Sequence, residues 1–373
     1  MTTKTIPDNT YSEQNYEHQL HQKVSRFKQE LSSFGDYPIE IYPSKPLGFR
    51  MRAEFRIWHE NGSAHYAMNK PGEKTPYIID GFPIGGPLIT GMMRPLLEAI
   101  NASPIISHRL FSAEFLTTDS GQCLITLIYH KPLDDIWLTE AEALQEQLSV
   151  FIIGRSRKQK RVLAQDFVTE HMLVNGREYV YQQVESGFTQ PNVGINTKML
   201  TWASDCCADD NHGSDLLELY CGNGNFTAVL AQHYKRVLAT EVSKVSVASA
   251  NTNFALNNID NVTVVRLSSE EITQALNGDR PFRRLRDIDL SAFNFSTVFV
   301  DPPRSGLDQG TEALVTRFDK ILYVSCNPLT LAKNLSVLCK THNIEKVAAF
   351  DQFPWTDHLE TGVFLVRKDL GQE

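Results

Sequence analysis

Apolar and polar positions change their period about halfway along the chain. Over residues 10–34, Val24, Phe27, Leu31 and Phe34 recur at helical spacing in a polar background, which predicts a helix packed through one stripe. Residues 37–42 form a short Pro-bounded segment. Residues 49–58 alternate apolar with charged side chains, the pattern of a half-exposed strand. Asn61-Gly62 then marks a hairpin turn, with 64–68 as the return strand. Residues 84–100 predict a helix interrupted by Pro87 and Pro95. Two strands, 112–118 and 122–129, are joined by Asp119-Ser-Gly121; a helix over 140–148 and a strand over 150–154 follow. The first half is therefore expected to be α+β with an antiparallel sheet.

From about residue 180 strands alternate with helices. Residues 216–220 predict a strand, 221–225 a loop, and 226–234 a helix. The second strand, 236–240, ends at Glu241; a helix over 243–257 leads to a strand over 262–267. Two apolar runs, 296–300 and 320–324, predict buried strands, and 346–351 with 362–367 a closing antiparallel pair. Seven strands so arranged predict an α/β, doubly wound sheet with a terminal hairpin. Two domains are expected, 1–180 and 181–373. Residues 206–214 are polar and expected to form a surface loop.

Composition narrows the class. The 373 residues are 42% hydrophobic and 21% charged, ample for a core. No apolar run approaches the roughly 18 residues of a membrane helix, and the first residues lack a signal-peptide core, so no membrane association and a cytoplasmic location are expected. The six cysteines form no CxxC pair, so no metal site or disulfide framework is indicated. A net charge of -8 argues against an indiscriminate nucleic-acid coat. Against that background Arg155-Ser-Arg-Lys-Gln-Lys-Arg161, with five basic residues in seven, stands out as a local track for a polyanion. Arg50, Arg52 and Arg56 share one face of the alternating strand and would suit phosphates as well. The cluster at 280–286 is offset by Asp287 and Asp289.

The chemistry-bearing residues fall at strand ends. Asp301 and Cys326 each follow a buried run, where open α/β sheets hold their ligands. Gly222-Asn-Gly224 lies between a strand and a helix, and glycines there let the backbone approach a ligand. Position 227 is Thr, so the dinucleotide fingerprint is incomplete. Glu241 can accept hydrogen bonds from both hydroxyls of a ribose. These features suit a nucleoside without a pyrophosphate, such as S-adenosylmethionine (SAM). A thiolate beside a methyl donor can add to carbon 6 of uracil and make carbon 5 nucleophilic; a base must then remove the carbon-5 proton. His358 and Glu360 are both candidates for that base. A nicotinamide dehydrogenase would also use a glycine loop and an acid but has no need of Ser-Cys-Asn-Pro. An RNA-binding chaperone with secondary catalysis would need the basic surface but not Cys326.

Four ordered motifs carry a resemblance: Phe188-Thr-Gln-Pro-Asn192, Asp301-Pro-Pro-Arg-Ser-Gly-Leu307, Val324-Ser-Cys-Asn-Pro328 and His358-Leu-Glu-Thr-Gly362. In these, and in Gly48-Phe-Arg-Met-Arg-Ala-Glu-Phe-Arg-Ile-Trp58, the chain resembles the RNA 5-methyluridine methyltransferases, nearest the branch acting on tRNA. The resemblance implies a C-terminal SAM-dependent methyltransferase (Rossmann-like) domain behind an N-terminal α+β RNA-binding domain. It implies Cys326 as nucleophile, Glu360 as proton acceptor, and SAM contacts from Gln190, Tyr220, Asn225, Glu241 and Asp301. The rRNA relatives, the alternative within the family, usually carry a cysteine-ligated iron–sulfur cluster in the first half. Here that half holds only Cys123, too few ligands, so no iron–sulfur cluster is expected. The implied substrate is uridine 54 in the T-loop of the tRNA T-arm, with other RNAs bearing a T-like loop as further partners. A monomer is expected. Because such a uridine is stacked, it must be extruded, and Phe111, Phe115 and Phe188 are candidate stacking side chains, with Arg304 beside the target nucleotide.

Overall fold

The computed structural model describes residues 11–69, 75–208 and 213–368. Its helices are α1 (Glu13–Leu31), α2 (Pro87–Ala102), α3 (Pro104–Ser107), α4 (Asp135–Leu148), α5 (Val193–Cys207), α6 (Asn225–Leu230), α7 (Lys244–Leu256), α8 (Ser269–Asn277), α9 (Gln309–Val315) and α10 (Pro328–Leu338). The strands of the first half are β1 (Ile39–Tyr42), β2 (Arg52–Glu60), β3 (Ser63–Asn69), β4 (Pro76–Ile78), β5 (Leu110–Thr117), β6 (Cys123–Tyr129), β7 (Phe151–Ser156), β8 (Gln159–Val162), β9 (Phe167–Val174) and β10 (Arg177–Val184). Those of the second are β11 (Asp215–Leu219), β12 (Arg236–Thr240), β13 (Val262–Val265), β14 (Phe295–Val300), β15 (Lys320–Ser325), β16 (His342–Phe350) and β17 (Glu360–Arg367). Among the described residues, no helix is long and apolar enough to cross a membrane.

The chain forms two compact units. One comprises Lys45–His171 and Gln182–Val193 with the chain up to Asn15; the other comprises Tyr16–Ser44, Met172–Tyr181 and Gly194–Glu373. A single boundary near residue 180 describes this only coarsely, because α1 and β1 belong almost wholly with the C-terminal residues.

In the first unit the sheet order is β4-β3-β2-β5-β6-β7-β8. The period-2 pattern of β2 turns Ala53, Phe55 and Ile57 inward. Phe55 meets Tyr66 and Phe115 edge-on in the core, and Ile89, Met93, Leu96 and Ile100 of α2 cover the same cluster at helical spacing. The expected antiparallel sheet is in fact mixed: β6 and β7 run parallel, joined by α4, since parallel neighbours need a crossover. The expected interruption of α2 does not occur. Pro87 sits in its first turn, where no N–H is required, and Pro95 is carried inside the helix. Residues 155–161 form the end of β7, a two-residue turn at Arg157 and Lys158 with Lys158 at φ 60, and the start of β8. The strands β8, β9 and β10 lie outside the pattern read from the sequence.

In the second unit the order is β1-β16-β17-β15-β14-β11-β12-β13. The seven expected strands are joined by an eighth, β1, which pairs parallel with β16 at the edge. β17 runs antiparallel to both its neighbours, β15 and β16. Every residue of β11 is buried, as befits a central strand covered on both faces. Cys206 and Cys207 are buried in the last turn of α5 rather than in a loop, and residues 209–212 of the expected insertion lie outside the described residues.

Gly362, within β17, lies flat against the ring of Trp202. A Cβ at this position would come within 2.5 Å of Trp202 Cζ3, and Trp202 is itself held by its Nε1 donating to Glu40 Oε1 at 3.2 Å. Gly362→Ala is therefore expected to destabilise the chain by about 1–3 kcal/mol, the usual cost of overpacking. A urea melt reads this directly, and an unshifted midpoint would mean that the indole moves aside freely.

Candidate active site

Parallel register brings the strand ends of the second unit together. Leu219 is level with Thr240 on one side and Val300 on the other, and Val300 is level with Tyr323. The residues that follow, Tyr220, Glu241, Asp301 and, three further on from Tyr323, Cys326, therefore emerge along one carboxyl edge. β17 enters that edge from the opposite direction. Ser325 pairs with Thr361, whose hydroxyl donates to Ser325 O at 3.0 Å, so Glu360 at the start of β17 adjoins Cys326 just past the end of β15.

The loop after β11 is built to face a ligand. Gly222 and Gly224 both have positive φ (56 and 78), and a Cβ on Gly222 would meet nothing within 4 Å, so its outer side is open. The Gly222 N–H donates to Glu241 Oε2 at 3.1 Å, and the Ser243 N–H to Oε1 at 2.7 Å. These bonds orient the carboxylate and leave about two of its roughly four acceptor positions for other donors. Asn225 forms a two-way amide pair with Asn196 of α5, at 2.8 and 3.0 Å, while its carbonyl accepts from the Tyr181 hydroxyl at 2.8 Å. Its side chain is thus braced from below. Tyr220 is half-buried at φ 63, its hydroxyl directed toward Ser269 and Thr311. Beneath the loop Glu218 is 1% exposed, and its Oε2 has no hydrogen-bond partner among the described residues. Burial raises its pKa to about 8, with Asp301 adding to the shift. An open glycine face, an oriented carboxylate and an orphaned buried oxygen together fit a polar nucleoside ligand with cationic groups. Gln190 belongs to the first unit, on a segment stitched to the start of β2 by Met51 N–H donating to Pro191 O at 2.7 Å.

Desolvation dominates the electrostatics around Cys326. Burial first, then the negative charges of Glu360 and Asp301, push the thiol up to about 11, with Arg304 acting against them. Burial raises Asp301 to about 7. Glu360 is 5% exposed and rises to about 8 through burial, with Asp301 as the second cause. Three acids thus share one poorly solvated space, in which the charge of Asp301 opposes ionisation of Cys326 and Glu360, and that of Glu360 opposes ionisation of Cys326. His358 differs: it is exposed, with Nδ1 turned to the Arg304 guanidinium at 3.5 Å.

The two motif loops are tied to one another. Asn327 caps α10 by accepting from Leu329 N–H at 3.2 Å and donates from Nδ2 to Arg304 O at 3.1 Å. Asn334, buried in α10, accepts from the Leu307 N–H and the Tyr323 hydroxyl and donates to Leu307 O and Glu312. Neither Asn196 nor Asn334 belongs to a motif; a polar residue at an inward helical position was the one available signal.

In the first unit the basic residues divide. Arg52 donates through both terminal nitrogens to Gly187 O and Glu185 O, so its guanidinium is engaged by backbone, whereas Arg50 donates to Arg52 O through Nε. Arg155 is paired with Glu185, and Lys160 with Asp166 and Glu185. Arg157, Lys158 and Arg161 are exposed at the hairpin turn. Phe115 is fully buried and cannot stack on a base; this corrects the expectation from sequence. Phe111 lies stacked on His130 at 4.4 Å, with Arg56 over its ring at 5.5 Å, and Phe188 is 72% exposed.

Comparison with known proteins agrees with this geometry. The family model described as tRNA (Uracil-5-)-methyltransferase matches residues 15–368. A Saccharophagus degradans protein named tRNA/tmRNA (uracil-C(5))-methyltransferase is 54% identical over 370 residues, covering 99% of this chain and 100% of its own. A Colwellia psychrerythraea protein of the same name is 51% identical over 358 residues, covering 95% and 98%. Among solved structures, the Pyrococcus abyssi tRNA (uracil-54, C5)-methyltransferase in complex with S-adenosyl-L-homocysteine shares the fold, with a TM-score of 0.72 at 22% identity over 98% of this chain and 88% of that one. The chain belongs to the tRNA (uracil-5-)-methyltransferase family.

Proposed function

We propose that this protein methylates carbon 5 of the T-loop uridine, position 54, of tRNA, using SAM. The observation that carries this reading is the meeting of Cys326 and Glu360 across the β15–β17 register, with Asp301 beside them. Membership of the family and the names of its relatives support the substrate class, and those names extend it to tmRNA. SAM supplies an electrophilic methyl group on a sulfonium. Glu241 holds the ribose, and Tyr220, Asn225 and Asp301 are further contacts of the co-substrate.

The chain's own chemistry has three parts. Cys326, as thiolate, bonds through Sγ to carbon 6 of uracil, and the ring electrons move toward carbon 5 and the carbonyl oxygen. Once carbon 5 carries the methyl group, the Glu360 carboxylate takes its remaining proton. The freed electron pair restores the 5,6 double bond and expels the Sγ thiolate. Glu360 suits this task better than His358: it is a buried carboxylate of raised pKa adjoining Cys326, whereas His358 is exposed with Nδ1 turned to Arg304.

The direct test incubates tRNA with labelled SAM, digests the RNA and locates the methyl group, expected at uridine 54. Denaturing gels then separate the roles. Cys326→Ala should give neither product nor covalent adduct. Glu360→Gln should accumulate a protein–RNA adduct already carrying the label, and His358→Gln should keep substantial turnover. A labelled adduct with His358→Gln but not with Glu360→Gln would reverse the base assignment, and any adduct with Cys326→Ala would end the nucleophile assignment.

The raised pKa of Glu360 sets a pH dependence. Below about 8 the carboxyl is neutral and cannot accept a proton. Decay of the methylated adduct in single turnover should therefore climb about tenfold per pH unit up to pH about 8 and then level. A flat rate between about pH 6 and 9 would contradict it.

For RNA binding, the exposed hairpin charges are the ones to remove. Replacing Arg157, Lys158 and Arg161 by Gln should weaken RNA binding and make its salt dependence shallower, by roughly 0.7–0.9 in slope for each phosphate no longer neutralised, while leaving SAM affinity alone. Unaltered binding across several salt concentrations would remove this hairpin from the interface.

A further inference from the structure

Helix α1 contains a charge that its own packing does not need. Its inward stripe buries Tyr16, Phe27 and Leu31, and the fourth buried position is Lys23, 4% exposed. Lys23 Nζ donates to Asp351 Oδ1 at 2.7 Å and to the carbonyl of Phe353 at 2.9 Å. Asp351 is completely buried and also accepts from Gln19 Nε2 at 3.2 Å. Burial pulls the Lys23 ammonium below its ordinary pKa although Asp351 opposes the shift. An apolar pair would fill this space without desolvating two charges, and such replacements are often neutral or stabilising. A buried pair of this kind makes sense where direction matters more than stability.

What it directs is the segment 351–359. This stretch leaves β16 after Phe350 and returns as β17 at Glu360, and Phe350 and Glu360 are register partners. α1 touches the segment along its length. Gln19 and Lys23 hold Asp351, Lys23 holds Phe353, Tyr16 meets Trp355 edge-on at 5.9 Å, and Arg26 reaches Asp357 at 3.1 Å. Trp355 has φ 65, a left-handed conformation that a bulky residue adopts only where its surroundings impose it. The segment is therefore held in shape from outside.

We infer that Lys23 and Asp351 are positioning residues for the Glu360 carboxylate. Their pair fixes 351–359 in the conformation that brings Glu360 within hydrogen-bond reach of the carbon-5 proton, a range of about 2.6–3.2 Å. The inference rests on the assignment of Glu360 as proton acceptor. It adds α1 to the proton-removal step, through a lysine 328 positions away from its partner in sequence.

The test uses the full-length chain, tRNA and labelled SAM, with Lys23→Met, the double replacement Lys23→Leu with Asp351→Leu, and Glu360→Gln as reference. Removing one partner strands a buried charge and can unfold the chain, which circular dichroism detects; the double replacement removes both charges and keeps the fold. In the double variant kcat should drop on the order of 10- to 100-fold, the scale of an ångström-sized misplacement, with the KM for SAM little changed. A labelled protein–RNA adduct should accumulate, as with Glu360→Gln, because addition and methylation still proceed and only proton removal is slowed. A purely structural role would lower the melting temperature without trapping an adduct. Wild-type turnover in the folded double variant, or lost turnover without an adduct while Glu360→Gln does trap one, overturns the inference and leaves the base assignment standing. If Glu360→Gln traps no adduct, the base assignment fails and this inference with it.

Discussion

The active edge depends on one strand running against the others. β11, β12, β14 and β15 are parallel, so their carboxyl ends collect Tyr220, Glu241, Asp301 and Cys326. A further parallel strand would have added another residue following its end. Because β17 is antiparallel, its first residue, not its last, arrives at that edge, and Glu360 comes to lie beside Cys326. The close approach of Gly362 to Trp202 fixes how β17 sits against α5. Cys326 and Glu360, the proposed nucleophile and proton acceptor, are thereby held on neighbouring backbones joined by ladder hydrogen bonds, which leaves little freedom between them.

That arrangement has an electrostatic cost that the proposed chemistry uses. Cys326, Asp301 and Glu360 are poorly solvated, and the charge of Asp301 opposes ionisation of the other two. A carboxylate in such a place is a poor acid and a good base. In the proposed reaction the thiol, raised to about 11 in the resting protein, is activated in the complex with substrate and cationic co-substrate, whose positive charge favours the ionised forms. Around this centre polar side chains supply rigidity: Asn334 ties the Asp301-Pro-Pro-Arg loop to α10, Asn196 braces Asn225, and the Gly222 and Ser243 N–H groups orient Glu241.

In the first unit, charge that looks similar in sequence serves different ends. Arg155 and Lys160 neutralise the buried Glu185, and Arg52 satisfies two backbone carbonyls, whereas Arg157, Lys158 and Arg161 stay in solvent. The alternation along β2 put Arg52 and Arg56 on one face, as its period requires, but that face is only partly open. Arg56, Phe111 and His130 form a cation–aromatic stack.

The sequence alone was sufficient for whatever is local or periodic. The strand–loop–helix pattern around Gly222, the buried runs ending at Asp301 and Cys326, and the terminal hairpin were legible because apolar period and turn residues report backbone geometry within a few positions. The motifs named Cys326 and Glu360 as candidates, although between His358 and Glu360 local pattern had no preference. Tertiary structure decided what depends on residues distant in sequence. Burial separates Glu360 from exposed His358 and removes Phe115 from the stacking candidates, and no local pattern specifies either. The parallel β6–β7 pairing, β1 as an eighth strand, and the joining of α1 to the C-terminal unit are long-range pairings of the same kind. The Lys23–Asp351 pair shows the division most plainly. Lys23 falls one position before Val24 of the apolar stripe, and nothing local distinguishes it from the other lysines of a polar helix. Its partner lies 328 positions away, and only folding brings the two charges together.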